Sequence, residues 1–520
     1  VDTLIDRLRA DLTAADFTVE SLQALWGGQA EAALLRGHRV PALRALESQH
    51  SAAATLARLF VLGLPVDQEA LARALPTVGV AGASELGLTS ADRAGGDLAA
   101  LDERSVRPLL DLRPYSFTDA LGSGSWWIVS DLGELALGAE LPEGHVLGVG
   151  GASMTLSGLM IQTPVQRVLD LGTGCGIQAM HASRHAEQVV ATDISERALQ
   201  LAALNARLNR IENIEFRLGS LYEPVAGERF DAIVSNPPFV ITPRGEGVPE
   251  YEYRDGGLIG DGIVEAVIVG AADHLADGGI AQLLGNWEYR GSVHAFDRVR
   301  GWLDTAGLDG WVIERELQDA PLYAETWIRD GGTLPGAEFD TLYAAWLADF
   351  EARGVAQVGF GYVTLRRPQP GAPSLRRLER QHGPLGDNPA GLGRHLADCI
   401  AAWDAQTRLS DAELAASALT VATDATEERH YWPGDDDPTV MLLRQGGGFA
   451  RTISLDTALA AVVGACDGTL SIAAICAAIG QLLDVDGGDV LRDVLPRVRD
   501  LIDNGILRLD GTDLDGHDND

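Results

Sequence analysis

Basic residues are in short supply. Lysine and arginine together number 40 against 75 aspartates and glutamates, and the formal net charge is −35. Such a surface repels polyanions at long range, so free DNA or RNA is disfavoured as a non-specific partner, although a local basic groove stays compatible with it. The charge also keeps an alanine- and glycine-rich chain in solution. Cysteine is scarce: Cys175, Cys399, Cys466 and Cys476 form no C-x-x-C pair. Neither a disulfide framework nor a metal site is expected, and a reducing cytoplasm fits. Long apolar runs are missing too. No stretch approaches the ~20 residues that span a bilayer. The N-terminus carries acids early, so no signal peptide and no membrane attachment are expected. What is present is an ordinary apolar fraction over 520 residues, enough for about two to four domains.

One stretch organises the rest: Val168-Leu169-Asp170-Leu171-Gly172-Thr173-Gly174-Cys175-Gly176. It reads as a buried strand, a glycine turn and the start of a helix. Glycine lets the backbone turn sharply and lie close to a ligand, because no Cβ intervenes. A lone G-x-G-x-G is weak evidence, but its context adds weight. A second strand, Val189 to Asp193, follows one helix later and ends in an acid, at about the ~20-residue spacing where a carboxylate meets ribose hydroxyls in doubly wound folds. A third, Phe230 to Ser235, runs straight into Asn236-Pro237-Pro238-Phe239.

With these motifs in this order the chain resembles the class I S-adenosylmethionine-dependent methyltransferases. Its likeness is to the N-P-P-[FY] branch that methylates amide or exocyclic amino nitrogens, including the release-factor glutamine and ribosomal RNA guanine-N2 methyltransferases. The resemblance covers roughly residues 145 to 366. It implies a Rossmann-like, doubly wound α/β core and S-adenosylmethionine as cofactor. It also implies contacts to that cofactor from Asp170, Gly172, Thr173, Gly174, Gly176, Asp193, Ile194, Ser220, Leu221 and Asn236. Asp170 would order the loop and the cofactor's amino group, Asp193 would take the ribose hydroxyls, and Ile194 would lie beside the adenine. The segment before the glycine turn, Gly150 to Thr155, would close on the cofactor carboxylate through backbone N–H groups. One departure stands out. In Gly219-Ser220-Leu221-Tyr222-Glu223, Ser220 occupies a place where the family often has an acid, which leaves adenine with an uncharged acceptor.

The Asn-Pro-Pro-Phe quartet has a mechanical logic of its own. An amide or aromatic amino nitrogen is planar and a poor nucleophile. Asn236 Oδ1 and the Pro237 carbonyl can each accept one of its N–H bonds and hold its lone pair toward the methyl donor. Pro237 and Pro238 stiffen the turn, and Phe239 can stack on a planar acceptor. Catalysis is then mainly positioning and electrostatics. The loop from 240 to 260 is long enough to suggest function. Arg244, Tyr251, Tyr253 and Arg254 in it, and Trp287 after the fifth strand, are candidate substrate contacts; Tyr323 and Trp327 are lesser ones.

Strands and helices alternate from 161 to about 370, which argues for a parallel sheet. Strands are expected at 167–171, 189–193, 214–218, 231–235, 280–284, 311–317 and 358–365, with an insertion at 321–354 holding one helix. Residues 1–112 read as a helical recognition or cap domain. Residues 113–160 read as a β-rich connector with strands at 126–131, 135–137 and 145–149. Residues 371–509 read as an α+β, winged-helix-like domain that opens with a helix at 374–380. Residues 510–520 are an acidic tail expected to be disordered. The expected function is N-methylation of an amide or amino nitrogen on a protein, peptide or small molecule. An exocyclic amino group in ribosomal or transfer RNA is the alternative within enzymes, and a non-catalytic cofactor-binding regulator or scaffold is the alternative outside them. The sequence leaves the oligomeric state open.

Overall fold

The computed structural model describes residues 2–90, 105–137, 141–244, 248, 256–291, 294–368 and 374–509. The chain divides into two compact units. The first comprises Val1–Ser157, Thr163–Leu308 and Glu316–Arg367, the second Gly158–Gln162, Asp309–Arg315 and Pro368–Asp520.

The first unit is built on a mixed sheet. Its strands are β1 (Val165–Leu171), β2 (Ala186–Asp193), β3 (Ile214–Leu218), β4 (Phe230–Ser235), β5 (Leu275–Arg290) and β6 (Val355–Arg366). Within this unit they run in the order β6-β5-β4-β1-β2-β3. The β1–β2, β2–β3, β1–β4 and β4–β5 pairs are parallel, and β6 joins β5 antiparallel. Leu171 is in register with both Thr192 and Ser235. The chain therefore leaves β1 in one direction to build β2 and β3, then returns to add β4 on the other side. That reversal opens a crevice at the carboxyl ends of β1 and β4, where open α/β sheets take their ligands. The connecting helices are α1 (Ile177–Ala182), α2 (Glu196–Leu208), α3 (Gly262–His274) and α4 (Ala295–Ala306). The insertion carries two helices where one was expected, α5 (Ala320–Asp330) and α6 (Ala337–Arg353).

The N-terminal helices do not form a separate core. Leu8, Leu12, Phe17, Leu59 and Phe60 share one buried cluster with Ile128 and Val129 of the hairpin Leu110–Asp119/Gly122–Asp131 and with Met180, Leu201 and Leu208 of α1 and α2. Arg9 crosses to the end of α2, where its guanidinium donates to the carbonyls of Leu208 (2.8 Å) and Arg207 (2.7 Å), groups a helix end leaves unbonded. The expected boundary at 112 falls inside the first hairpin strand. The expected strands at 135–137 and 145–149 are absent. Glu134–Leu137 is a short helix, and residues 141–150 are irregular. Their short apolar runs are ambiguous between strand and coil, and Val146 is fixed by a side chain, donating to Asp131 Oδ2 (2.9 Å).

In the second unit, residues 374–380 are not helical. Arg376–Arg380 is a strand, parallel to Gly310–Glu314. Leu375 and Leu378 carry a helix-like spacing, but tertiary contacts decide. The Arg377 guanidinium lies 4.4 Å from the Trp311 ring centre, and Trp311 Nε1–H donates to Glu379 (2.7 Å). Beyond it stand a meander, Ala425–His430, Val440–Gln445 and Thr452–Leu455, and a small antiparallel sheet, Ala418–Val421 with Asp467–Ser471 and Leu507–Leu509. Helices Thr457–Ala465, Ile472–Leu483 and Gly487–Asp503 enclose a core of Leu459, Val462, Ile475, Val494 and Val498. The last helix continues through Pro496. All four cysteines are buried and free. The acidic tail at 510–520 lies outside the described residues. Among the described residues no helix is long and apolar enough to cross a membrane.

Candidate active site

The site begins where β1 ends. Gly172, Gly174 and Gly176 all have positive φ, at 77°, 54° and 90°, a region that L side chains avoid. Their surroundings differ. A Cβ on Gly172 or Gly174 would meet nothing within 4 Å, whereas one on Gly176 would press 2.9 Å from the Ala202 Cβ. The first two thus leave a cradle open for a ligand, and the third lets α1 pack against α2.

Asp170 lies beneath this turn, fully buried. Its Oδ2 accepts from Thr173 Oγ1 (2.5 Å) and the Ala179 N–H (2.9 Å). Its Oδ1 is buried without a partner. Burial pushes its carboxyl up to about 7, against the two hydrogen bonds. Such a group, half satisfied and short of a cation, suits the ammonium of an amino acid. Asp193, at the end of β2, also faces the turn. Its Oδ2 accepts from the Gly174 N–H and its Oδ1 from the Ser195 N–H, both at 2.9 Å, and burial raises its carboxyl as well. Each oxygen keeps a second lone pair for a ligand hydroxyl. Beside it Ile194 is 66% exposed, an apolar platform at the strand end. The Gly219 N–H donates to the Asp193 carbonyl (2.9 Å), which brings Ser220 and Leu221 to the same rim. Leu221 has φ 45°, a strained value for a branched side chain.

Asn236 follows β4. Ser235 Oγ donates to the Leu171 carbonyl (2.8 Å) and ties this strand end to the glycine turn. Asn236 Oδ1 is buried and accepts nothing. Pro237 is buried and Pro238 half-buried, and the Pro238 carbonyl accepts from the Gly256 N–H (3.1 Å). Phe239 is largely covered. It is 8% exposed and packs on Phe360 and Trp327, with ring centres at 5.1 and 6.3 Å, so it forms the base of the site instead of a free stacking surface. Trp287 is fully buried, against Phe296. The long strand β5 carries it into the core, where its ring is covered. Arg244 is half-buried, and Tyr251, Tyr253 and Arg254 lie outside the described residues.

Two supports escaped the sequence reading. Fully buried Asn286, on β5, donates through Nδ2 to the Phe239 carbonyl and to Tyr323 Oη (2.9 Å), and that hydroxyl also accepts from the Ile241 N–H (3.0 Å). The chain after Asn-Pro-Pro-Phe is thus held from β5 and from α5. A polar residue inside an apolar strand was the available signal. The second support is ionic. Asp261, at the head of α3, takes a forked pair from Arg298 (2.6 and 2.7 Å) and accepts from the Glu288 N–H (2.9 Å). Glu288, also buried, pairs with Arg290 and Arg353. This cluster fixes the far end of the loop that starts at Phe239.

A glycine cradle, a buried carboxyl lacking a cation, a second carboxylate at the next strand end and an apolar platform thus meet at the carboxyl ends of β1 and β2. With the doubly wound sheet they give this unit a Rossmann-like layout similar to that of class I methyltransferase domains. Residues 150–294 match the family model of the methyltransferase small domain, and residues 14–101 match that of a domain of unknown function (DUF7059). Among curated relatives, a release factor glutamine methyltransferase of Xylella fastidiosa is 40% identical over 161 residues, 29% of this chain and 56% of the relative. A ribosomal protein uL3 glutamine methyltransferase of Bradyrhizobium diazoefficiens is 32% identical over 192 residues, 34% of this chain and 59% of the relative. The chain thus spans a little over half the length of these relatives.

Proposed function

We propose that the chain transfers a methyl group from S-adenosylmethionine to the side-chain amide nitrogen of a glutamine in a protein. The observation that carries this reading is Asn236 Oδ1, a buried acceptor without a partner at the end of β4. A buried carbonyl left unpaired costs about 1–3 kcal/mol, and a substrate N–H would remove that cost. A primary carboxamide offers two N–H bonds, one for Asn236 Oδ1 and one for the Pro237 carbonyl. With both engaged, the nitrogen is held with its lone pair, perpendicular to the amide plane, facing the methyl donor.

When bound, S-adenosylmethionine supplies a methyl group on a positively charged sulfur, which the acceptor nitrogen displaces. Asp170 would meet its ammonium, Asp193 its ribose hydroxyls and Ile194 with Leu221 its adenine. Ser220 adds a neutral acceptor at that rim. The rest is rigidity. Asn286 and Tyr323 hold the quartet's backbone, and Ser235 locks it to the glycine turn, so little reorganisation remains for the transfer step. The proton on the methylated nitrogen leaves to solvent after attack, and no strong base is required of the protein. The names of the two relatives support glutamine as acceptor, and the net charge of −35 works against a nucleic acid.

The test uses purified chain, methyl-labelled S-adenosylmethionine and protein fractions rich in release factors or ribosomal proteins. Label should appear as a methylated glutamine on peptide mapping. Asn236→Ala should lower transfer about 100-fold or more, with cofactor affinity nearly unchanged. Label confined to RNA bases, or an Asn236→Ala variant with most of its activity, would overturn the proposal.

A further inference from the structure

The N-terminal helices carry a second concave feature, and none of its residues belongs to the ends of β1, β2 or β4. A cleft of about 370 Å³ lies between the helices Ala52–Leu56 and Gln68–Ala74, within the size range of ligand pockets. Ala52, Ala70 and Ala74 give it an apolar floor, and His50, Arg58 and Arg73 supply its cations. A π-helical turn, Ala57–Val61, extends the first helix, with the Leu62 N–H reaching back to the Ala57 carbonyl (3.0 Å). Such turns are rare and are found mostly at functional sites. Here the turn buries Leu59, Phe60, Val61 and Leu62 in succession and leaves Arg58 at the cleft.

Arg58 is set in place from behind. Its Nη2 donates to the Leu46 carbonyl and to the Gln49 carbonyl (2.8 Å), which orients the guanidinium and leaves Nε and Nη1 for a ligand. Among the described residues neither Arg58 nor Arg73 has a carboxylate at ion-pair distance, whereas Arg9, Arg113, Arg184 and Arg197 each hold one. In a chain with 75 acids against 40 bases, two unmatched guanidiniums on one cleft leave positive charge for an incoming anion. The surrounding sequence agrees. Residues 32–66 contain Arg36, Arg39, Arg44 and Arg58 and a single acid, Glu47. The cleft has one carboxylate of its own, Asp67. Its Oδ1 caps the second helix, accepting from the N–H groups of Glu69 (2.8 Å) and Ala70 (3.1 Å), and its Oδ2 can accept a backbone N–H. Carboxylates for the arginines, an N–H for Asp67 and apolar stems for the alanines are what an acidic peptide offers. A phosphodiester strand has no backbone N–H and asks for a longer row of cations.

We propose that this cleft binds an acidic segment of a partner polypeptide, whose carboxylates pair with Arg58 and Arg73. The site is separate from methyl transfer and stands whichever acceptor the chain uses. Forked guanidinium–carboxylate pairs are stronger than neutral hydrogen bonds. Because His50 and Arg73 are exposed, salt screens the attraction.

The experiment is fluorescence anisotropy of a dye-labelled hexaglutamate peptide titrated with the full chain, with labelled hexalysine and hexauridylate as comparison probes. Hexaglutamate should bind at one site per chain, and more weakly as salt rises. Arg73→Gln and Arg58→Gln should each weaken it about tenfold. Ala70→Glu sets a carboxylate of the chain itself into the cleft and should weaken it at least as much. The melting temperature of each variant is the folding control. Arg58 also holds two backbone carbonyls, so its variant could lose structure; Arg73 is exposed, and Arg73→Gln with Ala70→Glu carries the test without it. Unchanged hexaglutamate affinity in those two variants would overturn the proposal. So would a wild-type chain that binds no hexaglutamate at millimolar peptide, or that binds hexalysine equally well. Tighter binding of hexauridylate would mark the cleft as a nucleic-acid site and overturn it too. None of these results bears on methyl transfer, so this site and the methyltransferase reading stand or fall apart.

Discussion

Two buried oxygens define the site at the residue scale, Asp170 Oδ1 and Asn236 Oδ1, each without a partner. Asp170 makes a pH prediction. Its carboxyl is raised by burial from 3.8 to about 7. Between those values the folded chain holds a proton that the unfolded chain has released. Its contribution to stability is complete below the unfolded value and is lost as the pH rises through about 7. Relative to Asp170→Asn, the wild-type chain should lose about 1 kcal/mol per pH unit between pH 5 and 7, and little more above that. Ligand-free denaturant unfolding at several pH values measures this. Parallel curves for the two proteins would show that the carboxyl is ionised throughout.

At the element scale, the loop after Asn-Pro-Pro-Phe is gripped at both ends. Asn286 and Tyr323 take the near end, and the Asp261–Glu288 cluster takes the far one. Asp261→Ala takes the forked carboxylate from the Arg298 guanidinium, leaving it the Glu288 carbonyl (3.3 Å), and takes the acceptor from the Glu288 N–H, a defect of about 3–5 kcal/mol. Thermal unfolding should reveal it as a clear drop in melting temperature, and a loss below about 1 kcal/mol would mean that solvent already reaches the cluster. The same elements show what sequence reading could reach. Strand type and order along the chain were plain from β-forming runs broken by glycine. The length of β5, which takes Trp287 into the core, was not. Nor was the strand at 376–380, because the spacing of Leu375 and Leu378 suits a helix and only pairing with Gly310–Glu314 makes the segment extended.

At the scale of the whole molecule, the N-terminal helices and the α1–α2 side of the sheet share one buried cluster. They should unfold together. Leu8→Ala removes a fully buried side chain, which costs about 2–5 kcal/mol. It should lower the same melting transition that S-adenosylmethionine raises. Two separable transitions, with only the ligand-insensitive one lowered, would mean that the helices form an independent domain. Charge acts at this scale as well. The chain contains no lysine, so every ion pair that does not use histidine uses a guanidinium, whose planar fork meets carboxylates at two points, as Arg298 does at Asp261.

The sequence alone located the glycine turn and the quartet. Glycines at 172, 174 and 176, acids at 170 and 193 and Asn236-Pro237-Pro238-Phe239 are local, covalently spaced signals, and their order along the chain implies which strand ends carry them. What it could not decide were relations between residues far apart. The tertiary structure seats Phe239 in an aromatic base and buries Trp287. It joins Asn286 to the Phe239 carbonyl and Asp131 to Arg197, and it makes one core of helices and sheet. Periodicity reports which face of an element is apolar; it is silent on which distant element covers that face, and those choices settle only when the chain closes on itself.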